Sequence, residues 1–81
     1  MQRTEIFDKL KDVMQLAVKG IDLDKVKESS ELVADLGLGS VAVLYTVIAI
    51  EEFFNIRFDD VGFSDFKTVG DVVDYIEKKI G

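Results

Sequence analysis

The chain has 81 residues, 48% of them hydrophobic and 32% charged, with a formal net charge of −6 and neither cysteine nor histidine. That length and mixture describe one folded domain, 1–81, with a thin core: a domain this short buries only about 60% of the surface its unfolded chain exposes. Disulfides, Cys/His zinc sites and Ser-His or Cys-His catalytic pairs are excluded, and the acidic balance disfavours nucleic-acid backbones and anionic lipid while favouring basic protein partners.

The N-terminal segment, "MQRTEIFDKLKDVMQLAV", carries charges throughout. It has the pattern of neither a signal peptide nor a transit peptide, so cytoplasmic residence is the expectation. Ile6, Leu10, Val13 and Ala17 recur at helical spacing with Asp8, Lys9, Lys11 and Asp12 on other faces, and Gly20 supplies a terminator. This predicts an amphipathic first helix.

From Lys19 to Gly39 no long periodic run occurs. A structureless loop of that length is uncommon in a compact domain and often functional. Ile21, Leu23, Val26, Leu32, Val33, Leu36 and Leu38 are spaced to pin it to the core, with a helical turn expected at Ser30 to Ala34. Asp22 and Asp24 in "DLDKVKESSELV" lack the glycine and terminal glutamate of an EF-hand, so no metal site is expected there.

The stretch "DLGLGSVAVLYTVIAI", Asp35 to Ile50, sets one serine behind two glycines and continues as an almost wholly apolar run. It is too short to span a membrane as a helix. A helix from Ser40 to about Phe54 has two apolar stripes, Val43/Val47/Ile50/Phe54 and Val41/Leu44/Tyr45/Ile48. Glu51 and Glu52 extend the second side, and unpaired carboxylates are almost never fully buried. The first stripe is therefore expected inside. The second is expected as an exposed apolar patch, the kind of surface on which a partner docks.

Ser40 has two readings at this position. Serine is a preferred helix N-cap, with Gly37 and Gly39 shaping the turn. The free N–H groups and positive dipole end of a helix start also suit a phosphate attached to its hydroxyl. No base accompanies it to make it a nucleophile in its own right, so the chain is not expected to be an enzyme.

The linker "NIRFDDVGFSDF" has Phe58, Phe63 and Phe66 as anchors and room for a short helix. Beyond it, Val69, Val72, Val73, Ile76 and Ile80 form a last amphipathic stripe, and Thr68 with Asp71 reads as a capping box.

Asp35-Leu36-Gly37 followed by Ser40, then "AIEEFFNIRFDD" and "KTVGDVVDYIEKK", resembles the acyl carrier protein family across essentially the whole chain. The resemblance implies an all-α, small four-helix bundle with a long first loop and a short third helix. It implies a 4′-phosphopantetheine arm on Ser40, acyl groups held as thioesters on the arm's thiol, and an acyl pocket at positions matching Val47, Ile50, Phe63, Phe66 and Val72. The implied partners of such a monomer are a phosphopantetheinyl transferase and acyl-activating, acyl-transferring or synthase enzymes, docking on Val41, Leu44, Tyr45, Ile48 and Glu52.

This chain departs from the family at Gly39-Ser40-Val41, where Asp-Ser-Leu is usual, and at Ala42 and Tyr45, where acids are common. The exchange of charge for apolar surface points to a dedicated partner in a lipid or secondary-metabolite pathway. The bulk of Phe63 and Phe66 points to short, branched or hydroxylated cargo, or to a cavity that opens elsewhere. An aminoacyl or peptidyl carrier, and a helical interaction module without cofactor, are the alternative readings.

Overall fold

A computed structural model describes residues 2–58 and 66–80. Three α-helices, α1 (Arg3–Ala17), α2 (Ser40–Phe54) and α3 (Val69–Ile80), and one 3₁₀ turn (Leu23–Lys25) make the described residues all-helical apart from an isolated antiparallel bridge, Glu31 to Thr68. The position expected for a short further helix falls largely on 59–65, outside the described residues, as does Phe63.

α1 packs against both α2 and α3. Its core face is Ile6, Leu10, Val13 and Met14. Met14, four residues after Leu10, takes the buried place that the periodicity assigned to Ala17, because the helix ends there: Val18 is already extended, its N–H closing on the Met14 carbonyl at 2.7 Å. Gly20 follows with φ +83, a conformation glycine adopts without a Cβ penalty.

α3 presents Val69, Val72, Val73 and Ile76 inward, with Ile80 half-buried. The expected capping box is formed. The Asp71 N–H donates to Thr68 Oγ1 at 3.2 Å, and the Asp71 carboxylate accepts from the N–H groups of Thr68 and Lys67 at 3.0 and 2.9 Å. Two bonds from backbone donors, Thr68 first, hold this carboxyl below the ordinary carboxylate range.

The long loop is tied down by backbone hydrogen bonds to the start of α3. The Leu32 N–H donates to the Lys67 carbonyl, Val69 to Ser30 and Gly70 to Glu28, at 2.8–2.9 Å. A Cβ on Gly70 would lie 3.0 Å from the Glu28 carbonyl oxygen, so glycine permits this close approach. Arg3 closes the arrangement from α1, donating to Glu28 at 2.6 and 2.8 Å and to Asp74 at 2.5 Å. These charge-assisted bonds, Glu28 first, raise the guanidinium pKa.

Within the loop, Val26, Leu32 and Leu38 are buried anchors, whereas Val33 is 70% exposed. The helical turn lies later than Ser30 to Ala34. The N–H groups of Asp35 and Leu36 donate to the Glu31 carbonyl and that of Gly37 to Val33, all at 3.0 Å. Lys27 to Ser30 form a turn of their own, the Ser30 N–H donating to the Lys27 carbonyl at 3.0 Å, and the next turn begins at Glu31, where Leu32 is already bonded to Lys67.

Candidate functional site

Ser40 opens α2 as its first helical residue, and its side chain is exposed. The N-cap is Gly39, whose extended backbone (φ −78, ψ 174) suits that position and which contributes no side-chain bond. The capping reading of Ser40 is thus corrected: its hydroxyl makes no hydrogen bond among the described residues. The first turn of α2 contains no acidic residue, leaving the positive end of the helix dipole uncompensated by a side chain beside that hydroxyl.

Two residues of the Asp35-Leu36-Gly37 segment shape the approach to Ser40. The Asp35 carboxylate accepts the Glu31 N–H at 2.7 Å, closing the turn from both ends. Gly37 has φ +69, where an L side chain is strained, and reverses the chain before Leu38 is buried.

The two faces of α2 separate as expected. Val43, Val47 and Ile50 are buried and Phe54 is half-buried, whereas Val41, Leu44, Tyr45 and Ile48 are 62, 37, 58 and 44% exposed. Thr46, the other polar residue of the apolar run besides Tyr45, is buried, and its hydroxyl donates back to the Ala42 carbonyl at 2.8 Å. Glu52 is exposed, and Glu51 accepts the Phe58 N–H at 2.7 Å, fixing the chain as it leaves the helix. Asn55 ends α2 in the left-handed conformation that asparagine tolerates.

A cleft of about 580 Å³ lies beside Ser40, lined by Glu31, Leu32, Val33, Ala34, Ser40, Val43, Phe66 and Lys67. Its lining is mainly apolar, with Lys67 Nζ 3.6 Å from the Glu31 carboxylate at the polar part. Of the pocket positions expected from resemblance, Phe66 lines this cleft. Val47, Ile50 and Val72 are in the core cluster and do not line it. Sequence reasoning had no signal for Lys67 or Glu31, and it placed Val33 as an anchor when it is a wall. Val43 was legible as an inward residue but not as the one at the cleft.

A second, more polar depression of about 340 Å³ lies at the other end of α2, between Ile48, Glu51, Glu52, Asn55, Ile56 and Arg57. Ile48 and Glu52 of the expected docking set border it. The exposed apolar stripe of α2 therefore runs from beside Ser40 to an acid-containing hollow.

The site thus sets an exposed hydroxyl at a helix start beside an apolar cleft. A family model described as "Phosphopantetheine attachment site" matches residues 5–76. The acyl carrier protein of Thermotoga maritima is 39% identical over 79 residues, covering 98% of this chain and 96% of the relative. That of Wolinella succinogenes is 44% identical over 72 residues, covering 89% and 93%, and that of Bdellovibrio bacteriovorus 39% identical over 74 residues, covering 91% and 94%. The chain belongs to the phosphopantetheine-dependent acyl carrier protein family. It is a carrier and not an enzyme, and its cofactor is covalently held 4′-phosphopantetheine. No helix among the described residues is long and apolar enough to cross a membrane.

Proposed function

We propose that Ser40 carries the 4′-phosphopantetheine arm, that acyl groups ride on it as thioesters, and that the 31–34/Ser40/Val43/Phe66 cleft receives them. The observation that carries this reading is the placement of an exposed, uncommitted hydroxyl on the first turn of α2, directly on the wall of an apolar cleft. Attachment joins Ser40 Oγ to the arm's phosphate and releases adenosine 3′,5′-bisphosphate from coenzyme A, the hydroxyl proton being taken up by the transferase. Negative charge introduced there sits at the positive end of α2, where helix N–H groups favour it. The arm supplies the thiol that this cysteine-free chain lacks.

Val41, Leu44, Tyr45 and Ile48, with Glu52 at the far end, form the surface on which a transferase and acyl-handling enzymes dock. The apolar character of this face supports service to a dedicated lipid or secondary-metabolite pathway, since charge complementarity mainly sets encounter rate and partner choice. Within this reading the chain works as a monomeric single domain.

The test is intact mass before and after incubation with a phosphopantetheinyl transferase and coenzyme A, beside Ser40→Ala. A gain of one phosphopantetheinyl group and one titratable thiol, both absent from the variant, is the expected outcome. A gain that survives Ser40→Ala would refute the assignment, as would no gain with a cognate transferase.

A further inference from the structure

Apart from Ser40, the described lining of the cleft is apolar except at Glu31 and Lys67. Both come from fixed backbone. Glu31 donates its N–H to the Asp35 carboxylate at 2.7 Å and accepts at its carbonyl from Asp35 and Leu36 at 3.0 Å. Lys67 donates its N–H to the Asp71 carboxylate at 2.9 Å and accepts at its carbonyl from Leu32 at 2.9 Å. With the antiparallel bridge between Glu31 and Thr68, these bonds hold the two charged side chains next to each other on the docked loop and the approach to α3.

Their own contact is loose. Lys67 Nζ lies 3.6 Å from Glu31 Oε1, beyond the roughly 2.7–3.2 Å of an N–H···O hydrogen bond. The side chains are 78 and 38% exposed, and neither makes a side-chain hydrogen bond among the described residues. An ammonium has three donors and a carboxylate about four acceptor sites, so this capacity is met by solvent. An exposed pair of this kind contributes little to stability, which leaves it available for binding.

A plain hydrocarbon chain lying in the cleft displaces water from these two groups and returns no hydrogen bond. A hydroxyl on that chain accepts from the ammonium and donates to the carboxylate through one oxygen, reproducing the bonds of the water it replaces. A carboxylate on the chain is attracted by Lys67 but repelled by Glu31, and an ammonium the reverse.

We propose that Glu31 and Lys67 are cargo-specificity residues of the cleft and that the acyl groups this carrier favours bear a hydroxyl that bridges them. The inference rests on attachment at Ser40 and entry of the acyl group into this cleft, and concerns the chemistry of the cargo.

The experiment uses the full chain loaded at Ser40 with non-hydrolysable octanoyl-pantetheine analogues: plain, hydroxylated at the third, fifth or eighth carbon, and ending in a carboxylate. Intact mass verifies loading, and the melting temperature of each form is compared with that of the chain bearing the bare arm. The series is run on the parent, Lys67→Met and Glu31→Met, which keep the unbranched stems without the charges, and on Glu31→Gln, which keeps an acceptor without the charge. Circular dichroism of the unloaded variants verifies that each is folded.

Expected in the parent is a hydroxylated form melting about 4–8 °C above the plain one, the shift that one net hydrogen bond gives a domain of this size, with the carboxylate form no higher than the plain one. The hydroxyl advantage disappears in Lys67→Met and Glu31→Met and persists in Glu31→Gln, and in both Glu31 variants the carboxylate form rises above the plain one. A parent in which no hydroxylated form exceeds the plain one overturns the proposal, as does an advantage that survives both methionine variants or a carboxylate form that melts highest in the parent. So does a methionine variant that does not fold, since the pair would then be holding the domain together. Failure of Ser40 to accept any analogue would be seen in the mass and overturns the attachment reading, and loading with no gain over the bare arm overturns entry into the cleft. A plain chain that stabilises the protein as much as every hydroxylated one overturns the specificity alone.

Discussion

Replacing Gly39 by aspartate tests the account of the α2 start. Gly39 holds an extended N-cap conformation that any residue can adopt, and a Cβ built there meets nothing within 4 Å. An aspartate at this position places an acceptor within reach of the orphan N–H groups of the first turn and a negative charge at the positive dipole end. Relative to glycine the cap adds a few tenths of a kcal/mol, and the dipole adds about 0.3–1 kcal/mol. The sum, about 1 kcal/mol, corresponds to a melting temperature roughly 4–8 °C higher for a domain of this size.

The assay is thermal or urea unfolding of unmodified parent, Gly39→Asp and Gly39→Ala at about 0.15 M salt, where repulsion from distant acids is screened beyond about 8 Å. Gly39→Ala is expected at or below the parent, since alanine caps worse than glycine. The new carboxyl is stabilised in its charged form by folding, so its folded pKa falls below the unfolded value of about 3.9. Its contribution is therefore present above that value and lost as pH falls through the folded pKa. A Gly39→Asp chain no more stable than the parent at neutral pH, or a gain that Gly39→Ala matches, would show that the α2 start is not the open, uncapped terminus described.

Asp71→Ala removes the carboxylate that accepts from Thr68 and Lys67, and is expected to cost about 1 kcal/mol by loss of the cap. Because folding lowers the Asp71 pKa, the gap to the parent should be full at neutral pH and close as pH falls through the folded pKa; a gap unchanged in acid denaturation would contradict the assignment. Docking through Leu44 and Tyr45 predicts partner affinity that varies little with ionic strength. Tyr45→Ala is expected to weaken binding by about 1–2 kcal/mol in calorimetry, and Tyr45→Glu to introduce a salt dependence the parent lacks. A steep salt dependence of the parent would remove the basis for apolar docking.

What could be read along the chain were the features that local chemistry decides. The two stripes of α2 follow from its 3.6-residue period, and Glu51 and Glu52 choose the outer one because a charge loses its hydration when buried. Thr68 and Asp71 form their box because both partners lie within one turn. Asp35, Gly37 and Ser40 stood out as a motif through their resemblance to the acyl carrier protein signature. Other features needed the fold. Met14 rather than Ala17 fills the α1 core because the helix ends where α1 meets the loop. The turn begins at Glu31, in a stretch whose residues 28, 30 and 32 are paired to a segment thirty-five or more residues away. Likewise the cleft joins 31–34, Ser40, Val43 and 66–67, and the rings at 58, 66 and 75 pack together. Such sites depend on contacts distant in sequence, whose positions are set only when the loop docks on α3, and no periodicity or spacing in a single segment encodes them.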